Sequence, residues 1–444
     1  MGMKKDINKL FFKYTIPGVV GMMVTSLYVV VDGIFIGKAV GSDGLAAVNM
    51  VEAVIAFSFA LNIMIATGSA TIVAIKMGEK KNHEASKVFS FFVLVLTLAA
   101  GGISLFVLGF PEQTADFLGA TGVLKTMVIE YMTTIMYFNI FFMGTYFLEI
   151  FVRTNGRPTY SMSALIIGGV LNIILDYIFV IQLDYGLKGA ALATGISQTI
   201  STIMLIVDFF RNDSQLKFVR PDFSLNLLFK GIVNGASEFV SEISLGFIIF
   251  IFNLIIMKEI GKIGVSAFSI INYINTVVFA ILLGVSQGIQ PIISYSLGAG
   301  EKYVIRGIFN LAIKTVFIIG IFAFTSMFIF SEEIIGTFSD NKELLIFTTK
   351  AAKIYCFAYF LNGINMVMSA YFTAIENAKL SAFISALRGI IFVIMGITIF
   401  PRVLGIDGIW FTMPVAEVLT AFIGYKFIKK CKVLNLNDST TVAV

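Results

Sequence analysis

The sequence is poor in charged residues, cysteine and histidine. Charged residues make up 13% of the 444 residues, about half the share that a soluble domain carries. The two cysteines, Cys356 and Cys431, have no CxxC neighbours, which argues against a disulfide framework and against a zinc site. The single histidine, His83, lies in the charged stretch KKNHEASK, where we expect it to be solvated. These shortages argue against a soluble domain, a disulfide-linked domain and a zinc-binding domain.

Motifs for nucleotide and metal chemistry are also missing. No GxxxxGK[ST] phosphate loop occurs, so we expect that the chain itself does not hydrolyse ATP. Neither an HExxH metal motif nor a recognisable catalytic triad is present. We therefore expect neither an enzyme nor a protein with a resident cofactor.

Apolar residues are what the sequence has in excess. They make up 58% of the chain, with 45 Phe and a mean hydropathy of +0.92. A membrane-spanning helix needs about 20 apolar residues, and breaks of charge, Gly and Pro leave twelve segments of that order. The pattern predicts an all-α polytopic membrane protein with helices near 14–37, 47–75, 88–110, 126–152, 161–182, 187–210, 231–257, 266–297, 305–330, 345–373, 380–400 and 404–428.

The basic residues give the expected orientation. The formal charge is +5, but Lys and Arg lie in short loops between apolar runs and not on one face, so we expect no nucleic-acid partner. The loops on the side of the N-terminus carry about three times as many basic residues as the loops on the other side. This asymmetry predicts a multi-pass protein of the cell membrane with both termini in the cytoplasm.

An internal repeat organises the chain. A shift of 220 residues aligns GSDGLAAV at 41–48 with GKIGVSAF at 261–268, and TGSATIVAIKMG at 67–78 with QGIQPIISYSLG at 287–298. Six helices per copy is an even number, so both copies enter the membrane in the same direction. We expect two pseudo-symmetric six-helix bundles at 1–210 and 231–430, a cytoplasmic linker at 211–230 and a cytoplasmic tail at 431–444.

Acidic residues inside apolar helices are the first site candidates. Asp32 lies in SLYVVVDGIFIG and Asp176 in GGVLNIILDYIFV, one turn after Asn172. A charge near the bilayer centre costs several kcal/mol, so such residues are functional candidates. With a hydroxyl such as Thr194, they predict a coupling-ion site for Na⁺, or an acid pair that holds H⁺. The alternative is that both acids bond polar backbone at helix ends.

The second copy has different polar residues. At the 220-residue shift, Asp32, Asn172 and Asp176 fall on Phe252, Phe392 and Gly396, so the acidic cluster belongs to the first half alone. Solvation at a helix end, a packed ion pair and helix–helix hydrogen bonds are the alternatives to a role in transport for the second-half residues. The candidates for a substrate cavity there are Glu242, Asn272, Tyr273, Gln287, Gln290, Arg388 and Glu417.

Several of these segments together resemble the multidrug and toxic compound extrusion (MATE) family. The resemblance covers roughly the whole chain and rests on VDGIFIGKAVGSDGLAAV, TNGRPTYSM, QPIISYSLGAG and the two six-helix halves. Asp32, Asn172, Asp176 and Thr194 match the first-half cation site of the archaeal and DNA-damage-inducible branch. Glu242 resembles an acid that other members carry in their seventh membrane span. Some members have an acidic partner in the tenth membrane span, and this sequence has no counterpart of it.

The resemblance implies a V-shaped pair of bundles that alternates between inward-open and outward-open states. It further implies exchange of Na⁺ or H⁺ for amphipathic, often cationic, drug-like molecules. Membrane lipids are the other expected partners, and we expect a monomer. Three alternatives are a flippase of lipid-linked oligosaccharide, a membrane enzyme acting on lipid with Asp32 and Glu242 as acid and base, and a passive channel or scaffold.

Overall fold

The first half of the chain is a series of helices joined by short connections. The computed structural model describes residues 6–339 and 341–431. Long apolar runs make helices here because a helix satisfies its own backbone hydrogen bonds without water. The helices of the first half are α1 (Ile7–Ala39), α2 (Ser42–Gly78), α3 (Asn82–Gly109), α4 (Pro111–Phe117), α5 (Gly122–Tyr137), α6 (Asn139–Thr154), α7 (Pro158–Asp176) and α8 (Gly186–Val207).

The second half repeats this order. α2 and α10 have 37 residues each and α3 and α11 have 28 each, with starts and ends 220 positions apart. Gly41 and Gly261, which precede α2 and α10, share a positive φ of 83° and 87° that other residues rarely adopt. The repeat is therefore confirmed. The second-half helices are α9 (Leu225–Glu259), α10 (Lys262–Gly298), α11 (Lys302–Ile329), α12 (Ser331–Gly336), α13 (Lys342–Tyr355), α14 (Tyr359–Ala374), α15 (Ala378–Ala386), α16 (Phe392–Leu404) and α17 (Ile406–Lys430).

Twelve membrane spans are present when one bent pair is counted as a single span. Eleven helical stretches of the described chain are long and apolar enough to cross a membrane, and α5 with α6 makes the twelfth with a bend of 52°. The span predicted at 126–152 is present but bent at Phe138, where α5 ends. The Asn139 side chain donates to the Ala100 carbonyl at 3.2 Å, and the Phe138 ring packs against Gly195. The bend is thus held by tertiary contacts, since no proline lies there.

Two compact units divide the chain, and both boundaries fall inside long helices. One unit is Val20–Gly235, and the other contains the described residues before 20 and after 235. In the second unit, Phe11 of α1 is fully buried in a core with Leu282 and Ile289 of α10. The first turns of α1 therefore pack with the second half of the sequence. The predicted tail lies outside the described residues from 432 onward.

The connection from α8 to α9 is tied to the first unit. Asn155 donates to Asp208 Oδ2 at 2.8 Å and to Ser214 Oγ at 2.9 Å, and its Oδ1 accepts from the backbone N–H groups of Gln215 and Leu216. Four hydrogen bonds from one side chain fix the path of the chain after α8. The predicted linker thus begins with an anchored turn.

An ion pair at the same place adds an electrostatic contact. Arg157 pairs with Asp208, and its Nη2 lies 2.6 Å from Asp213 Oδ2. The Arg157 guanidinium holds the pKa of Asp213 below its usual value. Since the folded-state pKa is lowered, this contact stabilises the fold above the ordinary carboxyl pKa and is lost as the pH falls through the lowered value.

We expect Asn155→Ala to reduce the stability of the protein in detergent. The buried backbone N–H of Leu216 would lose its acceptor, which costs about 1–3 kcal/mol. The measurement is the midpoint temperature at which the folded peak is lost in size-exclusion chromatography. Asn49→Ala is the control, because the exposed Asn49 side chain bonds only to Leu45 of its own helix. Equal midpoints for the two variants would contradict the anchoring role.

Candidate functional site

The first-half acids meet where α1 packs on α7. A side chain at Gly169 would approach Val24 Cγ1 to 2.9 Å, so the glycine lets α1 come close. The two helices are the first and fifth spans and run in the same direction. Asp32 lies two turns after Val24, and Asp176 lies two turns after Gly169. This register brings the two carboxyl groups together.

The acids are buried with an amide and a hydroxyl. Asp176 has no exposed surface and Asn172 only 1%. Asn172 Nδ2 donates to Thr194 Oγ1 of α8 at 3.2 Å. The structure thus places Asp32, Asn172, Asp176 and Thr194 in one cluster within the unit Val20–Gly235. Their role in ion binding stays a prediction.

Several oxygens of this cluster have no donor. Asp32 Oδ1, Asn172 Oδ1 and both Asp176 oxygens are buried without a hydrogen-bond partner among the described residues. The Asp32 and Asp176 carboxyls nevertheless lie close enough to interact electrostatically. Two ionised carboxylates are both acceptors and repel each other, and a proton or a cation between them would relieve this repulsion. The donor set of carboxylate, amide and hydroxyl oxygens suits Na⁺ as well as H⁺.

The helix changes its winding directly after Asp176. α7 ends at Asp176 and continues as a π-helix over Tyr177–Gln182. Single π-helical turns occur frequently at functional sites. No proline or glycine in Tyr177–Gln182 signals this change, which explains why the sequence did not reveal it.

Three further side chains of the cluster were missed from the sequence. Tyr28 lies one turn before Asp32; its hydroxyl accepts from Gln198 Nε2 at 3.3 Å and lies 3.4 Å from the Tyr146 hydroxyl. Glu52 of α2 is near enough to Asp32 for an electrostatic interaction. Tyr28 could have been predicted because it lies four residues before Asp32 and so on the same helix face. Glu52 could have been predicted because it is an acid in an apolar helix. Tyr146 has no such signal.

In the second unit the position of Asp32 is taken by a buried ring. Phe252 has no exposed surface and stacks on Phe268 with 5.1 Å between ring centroids. The same fold position therefore tolerates an apolar side chain. The carboxyl of Asp32 is not needed for helix packing as such.

The second-half candidates do not form one site. Gln290 Nε2 donates to Glu238 Oε1 at 3.1 Å, and Glu242 is close enough to Glu238 for an electrostatic interaction. Tyr273 instead stacks on Phe338 near the other end of α10, about 25 Å from Gln290 along the helix axis. Asn272 is half-buried beside Tyr273, and Gln287 is buried one turn before Gln290. The predicted cavity residues of α10 therefore lie in two separate places.

Arg388 and Glu417 form an ion pair in which Glu417 is fully buried and Arg388 is partly buried. Arg388 Nη2 lies 3.3 Å from Glu417 Oε1 and donates to Asn362 Oδ1 at 3.0 Å. Asn365 Nδ2 donates to Glu417 Oε2 at 2.5 Å. Glu417 has no exposed surface, so a substrate has no access to it in this arrangement. Arg388 lies in the π-helix Leu387–Ile391, which joins α15 to α16.

The fold has twelve spans in two repeated halves, with a pair of buried acids inside one unit. This architecture is typical of membrane transporters. The MatE family model matches residues 17–178 and 238–398, one match in each half. The chain belongs to the MatE family. The predicted family is thereby confirmed.

Relatives and solved structures agree with this assignment. The Multidrug export protein MepA of Staphylococcus aureus is 25% identical over 424 residues, which cover 94% of this chain and 92% of MepA. MepA of Staphylococcus saprophyticus is 25% identical over 423 residues, with the same coverage of both chains.

Two solved structures have the same fold. An outward-facing multidrug resistance MATE family transporter has a TM-score of 0.90 at 21% identity, with 99% of this chain and 100% of that chain covered. A MOP superfamily transporter from Pyrococcus furiosus has a TM-score of 0.89 at 21% identity, with 98% and 99% covered. The predicted all-α fold of two six-helix halves is confirmed.

Proposed function

We propose that this protein exports amphipathic, often cationic, organic molecules from the cell in exchange for H⁺ or Na⁺. Membership of the MatE family and relatives named multidrug export proteins support the substrate class. The observation on which the coupling rests is the neighbouring pair of buried acids Asp32 and Asp176, with oxygens that lack donors. We propose no enzymatic activity.

The acid pair offers a simple coupling mechanism. With a proton or Na⁺ bound, the two carboxyls attract and hold α1 against α7; without it, their negative charges repel. Ion release would therefore favour a different packing of α1, and we propose that drug and ion stabilise opposite packings. Coupling requires only that each ligand binds the alternating states with different affinity. Pro17, which removes a hydrogen bond inside α1, makes this helix easier to bend.

The proposed topology places both termini in the cytoplasm, and the proposed functional unit is one chain. Ethidium efflux from cells, or ethidium uptake into inverted vesicles, tests the function, with the Na⁺ gradient and the pH gradient imposed separately. We expect efflux that depends on one of the two gradients. Efflux that continues without either gradient would indicate a passive channel, and no efflux at all would favour the flippase alternative.

Tyr28→Phe is expected to slow efflux by about two- to tenfold. The change removes the hydroxyl that accepts from Gln198, and a hydrogen bond of this kind is worth about 0.5–1.5 kcal/mol. The initial rate of ethidium efflux measures the effect. Tyr137→Phe is the matched control, because the Tyr137 side chain is 71% exposed. An unchanged efflux rate in Tyr28→Phe would show that the Tyr28 hydroxyl is not needed for transport.

A further inference from the structure

A polar groove lies at the beginning of α1, far along the chain from the acid cluster. Its volume is about 360 Å³, and Asp6, Asn8, Asn310 and Lys314 contribute its polar lining. The first residues of α1 form one wall and α11 forms the other. Ile7 packs directly on Gly307, which closes the floor between the two helices.

Lys314 is a charged residue within an otherwise apolar stretch of α11. α11 is a membrane span, and Phe317 and Ile318, within four residues of Lys314, are 42% and 65% exposed. A lysine near the centre of a span costs about 2.5–3.5 kcal/mol, and a long side chain reduces this cost by reaching the interface. The apolar run from Lys314 to Phe330 is about 24 Å long, against a hydrocarbon thickness of about 30 Å. The ammonium therefore reaches the headgroup layer on the side where α1 begins.

Nothing in the described part of the chain neutralises this lysine. No carboxylate of residues 6–339 and 341–431 forms an ion pair with Lys314, although Asp6 lines the same groove. One oxygen of Asp6 accepts from the Lys9 backbone N–H at 3.1 Å. Asn8 and Asn310 have exposed amide groups in the groove. The groove therefore offers a cation and an amide on α11, and an amide and a carboxylate at the beginning of α1.

The internal repeat shows that the fold does not need a lysine here. The position equivalent to Lys314 in α3 is Leu94, in a helix of the same length. The position equivalent to Asn310 is Ser90, whose hydroxyl accepts from the backbone N–H of Val219. In the first half these positions pack and anchor the chain. In the second half they present a charge and an amide to an open groove.

We infer that this groove binds the headgroup of a membrane phospholipid, with the phosphate on Lys314 and the amides of Asn8 and Asn310. The carboxylate of Asp6 accepts hydrogen bonds from an ethanolamine ammonium. The order fits the bilayer, since the phosphate of phosphatidylethanolamine lies closer to the hydrocarbon than its ammonium does. The exposed Phe317 and Ile318 beside Lys314 offer apolar surface to the acyl chains. A soluble phosphate compound would make no use of that surface.

The test is native mass spectrometry of the purified full-length protein with phosphatidylethanolamine, phosphatidylcholine or inorganic phosphate added. We expect retained phosphatidylethanolamine on the wild type and about tenfold weaker apparent affinity in Lys314→Leu, which introduces the residue of the repeat position. Asp6→Asn should remove the preference for ethanolamine over choline, because the amide loses the negative charge. Lys342→Leu, at the start of α13, is the control for loss of a surface charge.

Two results would overturn the inference. One is equal retention of phosphatidylethanolamine by the wild type and by Lys314→Leu. The other is retention of inorganic phosphate as strong as retention of phosphatidylethanolamine, since that would make the ligand a soluble phosphate. Because the readout is lipid binding and not efflux, failure of this inference would leave the proposed transport function intact.

Discussion

Asp32→Asn is expected to lower the initial rate of drug efflux by about tenfold or more. The carboxamide donates a permanent hydrogen bond to Asp176, as a protonated carboxyl does, and it cannot release a proton. The variant therefore stays in the packing that the bound ion favours. A tenfold change in rate corresponds to about 1.4 kcal/mol. The variant therefore has to change the free-energy difference between the two packings by only this amount. The measurement is ethidium efflux under the gradient that drives the wild type.

Controls separate coupling from folding. Asp32→Glu keeps an ionisable group and should recover part of the activity, whereas Asp176→Asn should resemble Asp32→Asn. Asp116→Asn removes an exposed carboxylate that pairs with Lys125 at 2.7 Å and should leave efflux unchanged. Protein level and thermal midpoint are measured for each variant. Wild-type efflux in a well-folded Asp32→Asn protein would contradict the proposed coupling site.

Glu417→Leu is expected to destabilise the second unit by about 3–5 kcal/mol. The change leaves the Arg388 guanidinium, whose side chain is only 14% exposed, without its counter-charge, and a largely desolvated charge without a partner is strongly unfavourable. Asn365 loses a carboxylate acceptor at the same time. The measurement is the midpoint temperature of the folded protein in detergent.

The double variant Glu417→Leu with Arg388→Leu makes this prediction specific. Replacing both members of a buried ion pair by apolar residues is often neutral, so the double variant should be more stable than Glu417→Leu alone. Glu333→Leu, on an exposed position of α12, controls for the loss of a glutamate. A double variant as unstable as the single variant would mean that the pair does not act as a unit.

The sequence alone was enough for the helix count, the repeat, the family and the first-half acids. Each of these follows from a one-dimensional pattern. Apolar runs of span length need helices in a membrane, and a fixed shift of 220 residues aligns the two copies. A lone acid such as Asp32 is conspicuous in an apolar run because its burial is costly.

Tertiary structure alone decided how these residues meet. The close approach of α1 at Gly169, the bend at Phe138 and the π-helix after Asp176 depend on contacts between segments far apart in the sequence. The grouping of the first turns of α1 with the second half arises in the same way. Helix formation is a property of a local run of residues, whereas the packing partner of each face is selected by shape and polarity across the whole chain.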